Sequence, residues 1–218
     1  MASATDRQPR RRADAERNIA AILDAGLAYF SRNADTSLTD VARAAGVGRV
    51  TLHRHFPSRE ALIDAVLAHA ISRADTALEA VAVDDGPAPE ALARLIRSSW
   101  RIVDHHRSLL AAAQRDLPPA RIRHHHDQAM ARVERLIGRG QSEGDFRTDL
   151  PRPWLVATFY SVLHGAAEEV DAGRLDPSQV PEILTATLLA AFAAHGGGRA
   201  SPPSRSRQAA GGGNGQRS

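Results

Sequence analysis

Residues 37–62 read SLTDVARAAGVGRVTLHRHFPSREAL, and this stretch decides the fold. Ser37 predicts a helix N-cap, because Asp40 follows three residues later in the spacing of a capping box. Gly46 predicts the end of that helix, since a residue without Cβ adopts the left-handed conformation most easily. A second short helix is expected over residues 49–55. Two short helices joined by a tight turn predict a helix-turn-helix, whose second helix lies in the DNA major groove.

Basic side chains dominate this stretch. Residues 41–60 contain one acid, Glu60, and four arginines: Arg43, Arg49, Arg54 and Arg59. His53 and His55 add hydrogen-bond donors, and residues 57–58 predict a third helix whose first amides suit a phosphate. A guanidinium can donate two hydrogen bonds to guanine or to a phosphate. Alanine–glycine turns and exposed arginines also occur in helical domains that bind no nucleic acid, but the order of cap, turn, basic helix and second cap favours DNA binding.

The stretch resembles the N-terminal DNA-binding domain of TetR-family transcriptional regulators, and the resemblance covers about 45 residues, from Ile19 to Ile63. The matching residues are Ala45–Val47, Thr51–Leu52, His55–Phe56 and Ser58–Leu62. Two positions depart from the family: His53 stands where tyrosine is usual, and Val50 stands where glycine or proline is frequent. Both belong to the DNA-facing helix, so the base preference of a relative does not transfer to this chain.

The resemblance also implies roles for single residues. The implied DNA-contacting set is Ser37, Thr39, Arg49, Val50, Thr51, His53, His55 and Arg59. Within it, Arg49 and Val50 are expected at base edges, whereas Arg59 is expected to hold a phosphate at the start of the third helix. The apolar residues of the stretch are expected in the core of the head: Val41, Val47, Leu52 and Phe56.

The composition is that of a soluble globular protein. The chain has 218 residues, 43% of them hydrophobic and 24% charged, so one or two domains with a hydrophobic core are expected. The lack of cysteine excludes disulfides, thiol catalysis and thiolate metal sites. No apolar run is long enough to span a bilayer, and the arginine-rich N-terminus lacks the apolar segment of a secretory signal. A cytoplasmic location is expected.

The net charge of +3 is unevenly distributed along the chain. Residues 1–60 hold ten arginines against seven acids, residues 61–195 hold fourteen against eighteen, and residues 196–218 hold four and no acid. A basic head on an acidic body fits a protein that meets DNA at one end only.

Apolar residues recur at helical spacing and no useful strand-like alternation occurs, so the fold class is all-α. We expect a helix-turn-helix three-helix head and a helical-bundle body for ligand binding and dimerisation. The expected division is a flexible basic arm over residues 1–13, the DNA-binding domain over 14–60, the body over 61–195 and a disordered tail over 196–218. Helices are expected at about 14–32, 58–78, 90–105, 108–115, 120–143, 153–172 and 178–194.

The last two helices carry small residues that allow close helix approach: Gly165, Ala166, Ala190 and Ala191. The family resemblance implies that this pair forms a four-helix interface in a homodimer, and that two heads meet a pseudo-palindrome in successive major grooves of double-stranded DNA. The alternative is that the two helices only complete the core of the monomer.

The resemblance further implies a small-molecule pocket in the body, whose occupation moves the heads and releases DNA. The candidate lining is Trp100, Val103, Asp104, Met130, Val133, Phe159, Leu163 and His164. Trp100 and Phe159 equally fit plain core positions. The identity of the effector, the operator and the target genes do not follow from the sequence.

No cofactor, metal site or active site is expected. Three successive histidines, His124 to His126, cannot converge on one ion, because neighbouring helical side chains diverge by about 100°. A solvated, partly charged face is expected of them instead. Catalytic motifs for acyl transfer, zinc proteolysis or nucleotide binding are missing. The main hypothesis is a ligand-released repressor. The alternatives are a constitutive DNA-binding dimer of the same fold, and a helical small-molecule carrier or enzyme with an idle head.

Overall fold

The structure, a computed structural model, describes residues 4–79, 81 and 83–194, with side chains from Arg12 onward. This part of the chain forms ten α-helices and no β-strand, which confirms the predicted all-α fold. The helices are α1 (Ala4–Phe30), α2 (Leu38–Ala44), α3 (Arg49–His55), α4 (Arg59–Glu79), α5 (Ala88–His105), α6 (Arg107–Asp116), α7 (Pro119–His125), α8 (Asp127–Glu143), α9 (Arg152–Asp171) and α10 (Val180–Phe192). None of these ten helices is long and apolar enough to cross a lipid bilayer.

The predicted helix-turn-helix is present as α2 and α3. The Ser37 hydroxyl accepts a hydrogen bond from the Asp40 amide at 3.2 Å, so Ser37 caps α2. Gly46 follows the helix with φ of +68°. The Val47 amide then donates to the carbonyl of Ala42, five residues earlier, at 3.0 Å, and the Gly46 amide donates to the carbonyl of Arg43 at 3.2 Å. These are the two hydrogen bonds of a Schellman turn. The turn that directs α3 outward is therefore fixed by local chemistry.

Helix α1 begins earlier than predicted. It starts at Ala4 instead of near Asp14, so most of the predicted flexible arm lies within a helix. Alanine and arginine are good helix formers, and Arg12 and Glu16 form an i,i+4 ion pair at 3.1 Å. The predicted disordered tail, residues 196–218, lies outside the described residues.

The head and the body share helix α4. It packs against α1 of the head and against α5, α6 and α7 of the body, and α5 in turn contacts α8, α9 and α10. The core of the head contains Ile22, Phe30, Val41, Leu52, Phe56, Leu62, Ile63 and Val66. Helices α4, α5, α6, α9 and α10 end within two residues of the predicted positions.

The predicted helix over residues 120–143 is wrong, because it is broken at His126 into α7 and α8. The His126 amide bonds to the carbonyl of Arg123 at 2.9 Å instead of to that of Ile122. The imidazole Nδ1 of His126 donates a hydrogen bond to the Ile122 carbonyl at 2.8 Å. A side chain thus replaces one backbone hydrogen bond of the helix and turns the chain into the body.

Helix α1 crosses α4 in close contact at Gly26. A Cβ at this position would lie 2.6 Å from Cγ2 of Val66, well inside van der Waals contact. Val66 is fully buried, so it cannot swing away. The crossing therefore requires glycine.

We predict that Gly26→Ala lowers the free energy of unfolding by about 1–3 kcal/mol, because the added methyl overpacks the α1–α4 contact. Urea unfolding followed by circular dichroism measures the change. Gly138→Ala is the matched control, since its Cβ would meet only the mobile end of Arg152. Equal stability of the two variants would contradict the tight crossing.

Candidate functional site

Helix α3 presents a basic surface with one apolar residue. Arg49 and Arg54 are exposed, and Val50 between them is 85% exposed, the most exposed large hydrophobic residue described. Val50 and Arg54 share a helix face at i,i+4 spacing. An apolar side chain in such a position can contact the methyl group of thymine. Arg54 was not among the predicted contacts, although its spacing from Val50 indicates one.

The other predicted DNA contacts are placed unequally. Thr39 on α2 is exposed, and Thr51 and His53 on α3 are half-buried beside the basic surface. The Ser37 hydroxyl donates to Asp40 at 2.6 Å in addition to its capping bond, so this group is used within the head. His55 is half-buried, and its Nε2 atom is shielded from solvent and has no hydrogen-bond partner among the described residues.

Arg59 does not have the geometry predicted for a phosphate contact. Its Nε donates to Asp116 at 2.9 Å, and its Nη2 donates to the carbonyl of Ala34 at 2.6 Å. Its Nη1 donates to the carbonyl of Thr36, and the guanidinium lies 5.1 Å from the centre of the Phe30 ring. The donors of this arginine face the protein because a carboxylate from α6 and two carbonyls of the α1–α2 connection surround it.

The body contains two adjoining cavities between α4, α5, α6, α8 and α9, with volumes of about 80 Å³ and about 60 Å³. Six of the eight predicted lining residues face the larger one: Val103, Met130, Val133, Phe159, Leu163 and His164. The smaller cavity lies between Leu67 and Ile71 of α4 and Leu109 and Leu110 of α6. His126 and His164 line both cavities.

Two predicted lining residues do not reach the cavities. Trp100 is 2% exposed and belongs to the core, the alternative left open by its sequence. Asp104 forms an ion pair with Arg107 at 2.8 Å, because the next turn of the chain brings this guanidinium beside it.

A cluster of rings separates the cavities from the outside of α7 and α9. The Tyr160 and His164 rings lie 4.2 Å apart, and the His126 ring is edge-on to both, at 5.2 Å and 5.1 Å. Arg123 covers the outer face of Tyr160 at 4.9 Å. Of these residues only His164 was predicted to line the cavity. Tyr160 precedes it by one helical turn on the same face, and this spacing could have indicated it.

Burial keeps the two cavity histidines neutral. It lowers the pKa of His164 to about 3, with a smaller contribution from the neighbouring His126. Burial also lowers the pKa of His126, against the hydrogen bond to Ile122. Because Nδ1 of His126 carries the proton that bonds Ile122, Nε2 of the neutral ring is a hydrogen-bond acceptor.

The larger cavity also contains one ion pair. Asp75 is 9% exposed, and its Oδ1 lies 3.3 Å from Nη1 of Arg132. The Arg132 Nη2 atom lies 3.4 Å from the Asp75 carbonyl. Both distances are long for charge-assisted hydrogen bonds, so the carboxylate retains acceptor capacity toward a donor in the cavity.

The three successive histidines do not share the solvated face expected of them, because tertiary contacts give each a different environment. His124 is exposed beside Asp127, His125 bonds Asp64 on α4 at 2.7 Å, and His126 faces the cavity. No group of three metal-binding side chains is present in the described part of the chain.

We predict that the protein loses stability as the pH falls from 7.5 to 5. Unfolded His164 takes up a proton near pH 6.5, whereas the folded group stays neutral down to about pH 3. The unfolded state therefore binds more protons in this range, and the free energy of unfolding falls by up to about 1.4 kcal/mol per pH unit for this group.

Urea unfolding of His164→Gln should show a shallower pH dependence than the wild type. His124→Gln is the control, because it removes an exposed histidine instead of a buried one. A slope that is identical in all three proteins would show that His164 is not held neutral.

Comparisons with known proteins agree with this geometry. Residues 22–66 match the model for bacterial regulatory proteins of the tetR family. The chain is 29% identical over 180 residues to the HTH-type transcriptional repressor LfrR of Mycolicibacterium smegmatis, covering 78% of this chain and 88% of that protein. It is 27% identical over 175 residues to the HTH-type transcriptional regulator NfxB of Pseudomonas aeruginosa, covering 78% and 87%.

Solved structures give the same result. The crystal structure of the TetR-like regulator LfrR from Mycobacterium smegmatis in complex with proflavine matches with a TM-score of 0.57 at 25% identity, covering 79% of this chain and 94% of that chain. A TetR-family regulator from Agrobacterium tumefaciens shares the fold with a TM-score of 0.63 at 19% identity, covering 82% and 99%. Residues 22–66 therefore carry a tetR-type helix-turn-helix, and the chain is similar in sequence and fold to DNA-binding transcriptional regulators of the TetR family.

Proposed function

We propose that this regulator is a repressor that binds a pseudo-palindromic operator as a homodimer and leaves it when a planar aromatic molecule enters the body. The observation that carries the proposal is that α4 continues from the head core into the wall of both cavities. A ligand between α4 and its neighbours therefore acts directly on the helix that follows α3.

The exposed surface of α3 supports a division between base contacts and backbone contacts. Arg49 and Val50 stand at the start of the helix, where helix-turn-helix proteins meet base edges. Arg54 lies a turn further on, is exposed and forms no ion pair among the described residues, and takes the phosphate role first assigned to Arg59. In this arrangement Arg49 contributes to the recognition of base sequence, and Arg54 contributes to affinity for the DNA backbone.

The outer faces of α9 and α10 support dimerisation. Trp154 is 60% exposed and Ile183 is 39% exposed, although both are large apolar residues. The exposed glutamates Glu168 and Glu182 lie near the end of α9 and the start of α10. Four small residues are also exposed on these helices: Ser161, Ala186, Thr187 and Ala190. Such a face allows the helices of a second copy to approach closely, and a two-fold axis would place both α3 helices on one side of the DNA.

The cavities support an aromatic ligand with hydrogen-bond donors. Their walls include the rings of Phe159, Tyr160, His126 and His164, and Asp75 and Nε2 of His126 offer acceptors. LfrR was crystallised with proflavine, a flat aromatic molecule that bears amino groups. A cavity of about 80 Å³ is well below the roughly 300–1,000 Å³ of small-molecule sites, so such a ligand has to push the surrounding helices apart.

A constitutive DNA-binding dimer is the main alternative. In such a dimer the body would serve only assembly, whereas the polar groups at the cavities, neutral imidazoles and a carboxylate with spare acceptor capacity, favour a ligand. A carrier or enzyme with an idle head would bind a small molecule and no DNA. Titration of the protein with DNA and with proflavine separates the three possibilities.

We predict that Arg49→Ala removes the preference for operator over random DNA, at a cost of about 1–3 kcal/mol, because it deletes a base contact. Fluorescence anisotropy with the DNA upstream of the protein's own gene, against random duplex, over a salt series measures this preference. Arg54→Ala is the comparison: it should weaken both DNAs equally and reduce the salt slope by about one. An Arg49→Ala protein that still discriminates would exclude the base-reading role.

We predict that Val103→Phe abolishes the response to proflavine while operator affinity stays within about threefold of the wild type. Val103 lines both cavities and lies away from the head, so a phenyl ring there fills the space without touching α3. Anisotropy of the protein–operator complex during a proflavine titration gives the response. Release of the variant at wild-type ligand concentrations would show that proflavine acts outside these cavities, either elsewhere on the protein or on the DNA.

A further inference from the structure

Helix α6 is attached to the head at both of its ends. At its start, Nδ1 of His106 lies 2.7 Å from the hydroxyl of Ser31, just after α1. At its end, Arg115 donates to Asp35 at 2.8 Å and to the Ala34 carbonyl at 3.0 Å. The connection between α1 and α2, residues 31–37, is thus bonded to a helix of the body.

The central element of this contact is the ion pair between Arg59 and Asp116. The two side chains are 32% and 28% exposed, compared with 51% and 78% for Arg115 and Asp35. Partial burial makes the pair less sensitive to salt than a surface pair. Through Arg59, the carboxylate of α6 is joined to the carbonyls that end the α1–α2 connection, immediately before the helix-turn-helix.

The same two helices enclose the smaller cavity. Leu67 and Ile71 of α4 face Leu109 and Leu110 of α6 across it. Asp116 follows Leu109 by seven residues, or about 10 Å along the helix axis. A ligand that widens the cavity drives α6 away from α4 and therefore acts against the Arg59–Asp116 pair, which bridges those helices.

A second ionic contact ties α4 to α7. Asp64 accepts hydrogen bonds from Nε and Nη2 of Arg121 at 2.9 Å and 2.8 Å, and its Oδ1 lies 2.7 Å from Nε2 of His125. The hydrogen bond from Arg121 is the main reason that the pKa of Asp64 is lowered to about 2, so the carboxylate stays ionised. Because α4 is held here as well, separation at Arg59 changes its tilt instead of freeing it.

We propose that the Arg59–Asp116 pair is a latch that stabilises the DNA-binding arrangement of the head, and that ligand entry has to open it. The inference rests on the ligand-released repressor proposed above. Arg59 and Asp116 are positioning residues in this scheme, since neither contacts the DNA. Opening the latch by mutation should move the equilibrium toward the released state, which lowers operator affinity and, by linkage, raises ligand affinity.

The test is Asp116→Asn, which keeps the shape of the side chain and removes its charge. We expect operator binding to weaken at least fivefold and proflavine binding to tighten. Glu143→Gln is the matched control, because it removes one negative charge from the exposed end of α8, where Arg139 is the ion-pair partner of Glu143 among the described residues. This control should bind DNA as the wild type does, or slightly more tightly through its higher positive charge.

The sign of the effect separates the latch from a direct phosphate contact by Arg59. If Arg59 served the DNA backbone, Asp116→Asn would free its guanidinium and strengthen binding, and Arg59→Gln would reduce the salt slope by about one. A latch predicts weaker binding for both variants, an unchanged salt slope, and a double variant no weaker than Arg59→Gln alone. Wild-type or tighter operator binding by Asp116→Asn overturns the proposal.

A second measurement depends on neither DNA nor effector. The chain has no cysteine, so R32C on the head and R135C on α8 allow two spin labels at chosen positions. Their distance distribution, measured by pulsed electron paramagnetic resonance in protein diluted with unlabelled chains, should broaden with Asp116→Asn and not with Glu143→Gln. An unchanged distribution contradicts the latch even if the protein proves to be a repressor, and a broadened one supports it even if no effector is found.

Discussion

The structure depends on the packing of one helix, α4, into two different surroundings. Leu62, Ile63 and Val66 are fully buried against the head, and Leu67 and Ala70 continue the same apolar stripe into the body. A helix of 21 residues is stiff over this length, so neither part can rearrange around α4 without affecting the other. The tight crossing at Gly26 has the same consequence, because it leaves α1 no space to slide over α4.

The environment of the cavities follows from one histidine. By taking the Ile122 carbonyl, His126 ends α7, starts a new helix direction and turns its own ring inward. The ring then meets Tyr160 and His164, and burial keeps both imidazoles uncharged. A charged pair of rings so close together would repel, so the two imidazoles present neutral acceptors and donors, and the Asp75–Arg132 pair is the charged part of the cavity wall.

Sequence reasoning succeeded where structure is determined locally. The cap at Ser37, the left-handed Gly46 and the bounds of α3 depend on residues a few positions apart, and all three were predicted. It did not foresee the partners of Arg59, because Asp116 is 57 residues away and its approach depends on how α6 packs. The break at His126 was missed although its hydrogen bond to Ile122 spans only four residues, because three adjacent histidines look alike until tertiary contacts give each a different partner.

The arginines of this lysine-free chain fall into two groups, those that hold the fold and those that are free to meet DNA. The guanidiniums of Arg59 and Arg115 are engaged with carbonyls and carboxylates at the head–body contact, whereas Arg49 and Arg54 are exposed on α3. Residue type is identical, so the distinction arises from whether acceptors of the protein lie within reach. A basic stretch therefore overstates the number of DNA contacts until its internal partners are known, and the arginines left without such partners define the surface that DNA can meet.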